Sequence, residues 1–351
     1  MQTETTPKAK EQREGGIELL RIFAIFLITC VHMLNFGGFL GHAASDFELS
    51  ILRLLYAFFM IAVNIFVIIT GFFMIHSKFR PAKLIPLWFS VLFYGFFLEA
   101  VAVFYFGADL KFYDFLVTFF PITSNRYWFF TSYALLFLIS PLLNLILLNS
   151  SKRQLNCILI GVFIFSYAAK RFNVDEITQL VGGYNLIWFI CLYFVGGYLS
   201  INTPRYKKWQ SIGIYLLATF ALWGCFYIRD ISWFIDKFIV NKCEYTAPLA
   251  LIASIAIFLS VKGIIFSEKT TKIIMFFSSA VFGIYLFQEA FLFKPFLYGE
   301  ILHTNDFWGR DDSILYLFRS VFIVFFLGFF TDIIRQILFK IFKVLKAKFS
   351  F

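Results

Sequence analysis

Charge is scarce in this chain. Only 15% of its 351 residues are Asp, Glu, Lys or Arg, against about a quarter in soluble domains. Apolar residues make up 60% and aromatics 22%, with a mean hydropathy of +0.81. A soluble globular domain is thereby excluded, and an integral membrane protein is expected. Motifs are missing as well. There is no G-x-S-x-G elbow, no P-loop and no G-x-G-x-x-G turn, so neither a serine-hydrolase site nor a nucleotide-cradling loop is indicated. The histidines do not combine with Cys, Asp or Glu at metal-ligand spacing, and no metal is expected. Cys30, Cys157, Cys191, Cys225 and Cys243 form no C-x-x-C pair; most lie within apolar runs and read as packing residues, compatible with either redox compartment. The first apolar run lacks a small-residue cleavage site and reads as a retained helix. No internal repeat is visible, which counts against an inverted-repeat transporter.

What is present is a succession of apolar runs. About ten transmembrane helices are expected, near 17–36, 51–75, 84–106, 127–149, 155–171, 184–201, 209–228, 246–266, 272–293 and 314–339, since a span needs about 20 apolar residues. The fold class is therefore all-α: one polytopic helix bundle over 1–351, with tails at 1–15 and 340–351. The net charge of +10 sits in short clusters between spans, so it signals topology and not nucleic acid. Most basic residues fall in the two tails and in alternate loops, including Lys78, Arg80, Lys83, Lys152, Arg153, Lys207, Lys208, Lys269 and Lys272. That asymmetry places both termini in the cytoplasm. The segment from Arg229 to Glu244 alternates polar and apolar residues in the manner of an interfacial helix.

The first span carries the main polar signal. "IELLRIFAIFLITCVH" holds Arg21 and His32 eleven residues apart, about 16 Å along a helix axis and within roughly 20° of one face. Glu18 falls one turn before Arg21 on the same side. Ionisable groups within a span are costly and normally face a bundle interior or a wet cavity, although a snorkelling Arg and a satisfied core His are the simpler alternative. Arg21 near the cytoplasmic boundary suits an anionic ligand. His32 in the outer half suits a general base, because imidazole takes and returns protons near neutrality. The loop after "NIFVIITGFF" gathers Lys78, Arg80 and Lys83, a candidate phosphate site, while Gly71 permits close helix approach and Asn64 places a polar group at mid-membrane. Tyr285 and Gln288 are candidates for the cavity of His32; Tyr127 and Trp128 open the fourth span at the outer interface. Glu99 and Glu289 read as loop-facing. Trp308 with Asp306, Asp311 and Asp312 could hold a sugar, although a solvated loop is the simpler reading.

These features together resemble the acyltransferase-3 family of integral membrane acyltransferases, which modify cell-surface polysaccharides and related glycans. The Arg-x10-His arrangement of Arg21 and His32 carries the resemblance. "VNIFVIITGFFM" before a basic loop, "YWFFTSYALLFLISPLLN" and "VFGIYLF" support it. Members often have His where this chain has Gln288, and an Arg-x-x-Arg where it has Arg80 and Lys83; Arg and Lys are not equivalent for bidentate phosphate contact. The resemblance implies acetyl-CoA or a similar acyl-CoA as donor, its phosphates near Arg21, Lys78, Arg80 and Lys83. It implies His32 as base, with Arg21 and Glu18 in the catalytic set, acting on a hydroxyl of a surface polysaccharide or lipid-linked glycan. Asn64, Tyr127, Trp128, Tyr285 and Gln288 are the expected substrate-side residues. A glycan flippase or proton-coupled transporter using Arg21 and His32 as a relay is the competing expectation.

Overall fold

Long apolar runs fold as helices in lipid because every backbone polar group must be satisfied within the segment. The computed structural model describes residues 15–171, 186–202, 204, 206–228 and 245–349, and among them no strand occurs. The helices are α1 (Gly15–Asn35), α2 (Asp46–Phe59), α3 (Ala62–Met74), α4 (Leu84–Phe106), α5 (Phe112–Thr118), α6 (Trp128–Asn149) and α7 (Lys152–Arg171). They continue as α8 (Leu186–Ile201), α9 (Lys208–Ile228), α10 (Pro248–Val261), α11 (Glu268–Ser278), α12 (Val281–Glu289) and α13 (Ser313–Phe349). The all-α membrane bundle expected from composition is what forms. Among the described residues seven segments are long and apolar enough to cross a membrane by length and composition, and Leu186–Ile201 and Pro248–Val261 are shorter apolar helices. The interfacial helix expected at 229–244 lies outside the described residues, as does the N-terminal tail to residue 14.

Two expected spans are discontinuous. The run over 51–75 is two helices, α2 and α3, parted at Met60–Ile61, and the run over 272–293 is α11 and α12, parted at Ser279–Ala280. Neither break carries Gly or Pro, which is why hydropathy alone reads straight through them. Polar caps set other ends: Ser45 accepts from the Glu48 N–H, and Ser267 from the Thr270 N–H. The last helix runs past the expected 339 to Phe349.

Helix α1 is the axis of the bundle. It touches α2, α3, α10, α11, α12 and α13, and 67% of its span is buried, as is that of α2–α3, against 33–44% for the other spans. Exposed Phe104, Leu142, Leu217 and Phe330 instead present the apolar surface that lipid covers. Helices α3 and α8 meet backbone to backbone: a Cβ on Gly71 would sit 2.3 Å from the Tyr193 carbonyl, and one on Gly196 2.2 Å from that of Ile68. Gly71 thus does what its position suggested.

Candidate active site

One stripe of α1 lines two cavities. Arg21, Ile25 and Ile28 border a cavity of about 240 Å³ with Thr70, Tyr133 and Ser278. Ile28, His32 and Asn35 border a second, of about 520 Å³, with Tyr56, Asn125, Trp128, Glu289 and Lys294. The spacing of three and four residues between these positions is the helical repeat, so the stripe follows directly from forming the helix.

At the Arg21 end, Glu18 is buried and accepts hydrogen bonds from Arg21 Nη1 at 3.2 Å and from the Ser278 hydroxyl of α11. The carboxylate uses one guanidinium donor and orients the group, leaving the remaining donors for the cavity Arg21 borders. Glu18 itself does not line the cavity, so its part is to position Arg21.

At the other end, His32 Nε2 meets Glu289 Oε1 at 3.1 Å, with both side chains about nine-tenths buried. The other Glu289 oxygen takes Lys294 Nζ at 3.2 Å, and that ammonium lies 4.0 Å from the Phe36 ring centre. A carboxylate on Nε2 requires the proton there, so Nδ1 carries the lone pair. His32 Nδ1 is buried and no group meets it at hydrogen-bond geometry, although the Gln288 side chain also interacts with the imidazole. An imidazole with one nitrogen held by a carboxylate and the other unspent is the arrangement of a general base. Glu289, read from sequence as loop-facing, is therefore the partner of His32. The signal was available: Glu289 follows Tyr285 by four residues on α12, and both line the second cavity. Lys294, Asn35 and Asn125, none of them singled out in the sequence, join it there. Asn125 has a left-handed backbone, φ 52°, beside Arg126, whose largely covered side chain binds Glu99 at 3.0 Å and Asp114 at 2.8 Å. Glu99 too is thus an internal ion-pair partner.

The remaining candidates separate. Tyr285 lines both cavities and Trp128 the second. Gln288 is fully buried behind them, donating to Thr29 Oγ1 at 3.3 Å, its own Oε1 unpartnered. Asn64 borders neither cavity: it donates to the Tyr245 carbonyl at 2.7 Å and accepts from Trp188 Nε1 at 2.9 Å, bracing three segments. Tyr127 is buried against a small space near Glu99 and Arg126. Lys78, Arg80 and Lys83 are exposed and line a third cavity of about 520 Å³ with His76, Ser77 and Ser200, which shares no lining residue with the Arg21 cavity. Trp308 is committed to structure, stacked 3.7 Å from the His42 ring and donating to the Gly37 carbonyl at 2.7 Å. Asp332, fully buried and not anticipated, accepts from Tyr94, Arg335 and Gln336 and ties α13 to α4. Among the described residues no three His, Cys, Asp or Glu side chains are placed to hold a metal.

A family model described as an acyltransferase domain matches residues 14–334, spanning both cavities and every helix from α1 into α13. Comparison with curated proteins and with solved structures finds no match.

Proposed function

This chain belongs to the acyltransferase-3 family and is a multi-pass membrane acyltransferase; on that premise we propose that it moves an acetyl group from cytoplasmic acetyl-CoA to a hydroxyl of a surface polysaccharide or lipid-linked glycan. The observation that carries this reading is the His32 imidazole, held at Nε2 by Glu289 with Nδ1 unspent, on the same helical stripe as Arg21. The chain sits in the plasma or inner membrane with both termini cytoplasmic, as its basic loops favour. Acetyl-CoA approaches from the Arg21 end, and the acceptor enters the larger cavity from outside.

His32 Nδ1 takes the proton of the acceptor hydroxyl as its oxygen attacks the thioester carbonyl. The imidazolium so formed is stabilised by Glu289 across the 3.1 Å contact. When the carbon–sulfur bond breaks, CoA leaves as the thiol after receiving that proton. Lys294 keeps the Glu289 carboxylate aimed, and Trp128, Tyr56, Asn35 and Asn125 offer ring faces and amides of the kind that hold a sugar. Tyr285 stands between donor and acceptor. Arg21 contacts the donor, and Glu18 fixes its geometry. The exposed cluster of Lys78, Arg80 and Lys83 takes the CoA phosphates. Gln288, Asn64 and Tyr127 serve the site from behind its walls. No metal enters the scheme.

The test uses membranes containing the full chain, incubated with acetyl-CoA labelled in the acetyl group. Label should enter the glycan fraction, and His32→Ala should reduce it by about 10²–10⁴-fold, the usual reach of general-base assistance. Movement of glycan across the membrane without consumption of acetyl-CoA would instead support a transporter.

A further inference from the structure

Three side chains, Ile28, Phe129 and Tyr285, line both the Arg21 cavity and the His32 cavity. A donor thioester that enters at Arg21 and reacts at His32 must bring its carbonyl to this narrowing, because Ile28 lies one helical turn below His32. The narrowing is built from pinned parts. The Phe129 N–H donates to Tyr285 Oη at 3.2 Å, and the two rings lie 5.5 Å apart, edge to face. Phe129 is also 5.5 Å from the Phe189 ring on α8. Tyr285 and Phe189 are both buried, so neither ring yields without displacing its neighbours.

We infer that Ile28, Phe129 and Tyr285 form a constriction that restricts the transferred group to a short acyl chain; this rests on the acyl-transfer reading of the site. An acetyl group ends one carbon beyond the carbonyl and passes. Each further methylene either lies against the Phe129–Tyr285 pair or projects into the space the acceptor hydroxyl needs. One methylene too many in a closed apolar site lowers turnover about 10- to 200-fold.

The experiment compares acetyl-, propionyl- and butyryl-CoA, each labelled in the acyl group, on membranes containing the full chain, with label in glycan as the readout. For the wild type, butyryl transfer is expected at least a hundredfold below acetyl. Phe129→Ala raises the butyryl-to-acetyl ratio tenfold or more, and Phe129→Leu raises it less. Ile28→Val, which removes one methylene without opening a large void, shifts the same ratio in the same direction and covers failure of the Phe129 variants to fold. Butyryl transfer within threefold of acetyl in the wild type overturns the constriction, as does an unchanged ratio in every variant that still transfers acetyl. If no acyl-CoA gives label dependent on His32, the acyl-transfer reading itself falls and the constriction falls with it.

Discussion

Replacing Glu289 by Gln isolates one charge at the centre of the site. The amide keeps the volume and an oxygen for the His32 Nε2–H, so what is lost is the stabilisation of the imidazolium formed as His32 takes the proton. The contact is 3.1 Å, between side chains 11% and 7% exposed, so screening by solvent is slight. A unit pair at about 4 Å and an effective dielectric of 20 is worth about 4 kcal/mol. The Gln oxygen still accepts from the His32 Nε2–H and retains part of that, which brings the loss to about 2–4 kcal/mol; the repulsion between Lys294, 3.2 Å from the other carboxylate oxygen, and the imidazolium is the same before and after the change. At about 1.4 kcal/mol per factor of ten, kcat falls roughly 30- to 1,000-fold. The assay is the initial rate of acetyl transfer to glycan in membranes matched for protein level, over a range of acetyl-CoA. The fall should be in kcat with little change in KM, since Glu289 acts through His32 and does not touch the donor. A Glu289→Gln rate within twofold of wild type would refute the pairing as a catalytic device.

Other substitutions test the scaffold and the donor site. Gly71→Val drives a side chain into the backbone of α8, since its Cβ would fall 2.3 Å from the Tyr193 carbonyl oxygen; it should lower the thermal unfolding temperature in detergent well below that of Gly213→Ala, whose Cβ meets open space. Asp332→Ala leaves Arg335 and Tyr94 without their partner, and breaking a buried pair costs about 3–5 kcal/mol, readable as a loss of folded protein on fluorescence-detected size exclusion. Changing Lys78, Arg80 and Lys83 together to Gln should raise KM for acetyl-CoA at least tenfold while leaving kcat within a few-fold, and should remove most of the salt dependence of KM; an unchanged KM would place the CoA phosphates elsewhere.

The sequence made the bundle legible because apolar length and the scarcity of charge are one-dimensional signals. The fourth span was expected at 127–149 and forms as Trp128–Asn149; the third was expected at 84–106 and forms as Leu84–Phe106. The Arg21 and His32 stripe was equally readable, since helical periodicity alone sets it. The breaks at Met60–Ile61 and Ser279–Ala280 were not readable, because neither Gly nor Pro stands at either and both lie against the cavities, which Met60 and Ser279 line. Glu289 was missed for a related reason. Its distance from any span's centre made it look like a loop residue, whereas the turn after α12 folds Lys294 back and closes the carboxylate over His32. Asp332 escaped notice because, although Arg335 and Gln336 follow on the next turn of its own helix, the partner that buries it, Tyr94, is 238 residues away on α4. Asn64 shows the converse: a polar residue in a span suggested a ligand, and the structure spends its amide on Tyr245 and Trp188.

The most direct measurement is the mass of the surface glycan from cells producing the wild-type chain or His32→Ala at equal protein level. The account predicts glycan carrying acetyl groups in the first case and glycan lacking them in the second. Equal acetylation in both would contradict His32 as the base, and glycan unmodified by the wild-type chain would contradict the assigned acceptor.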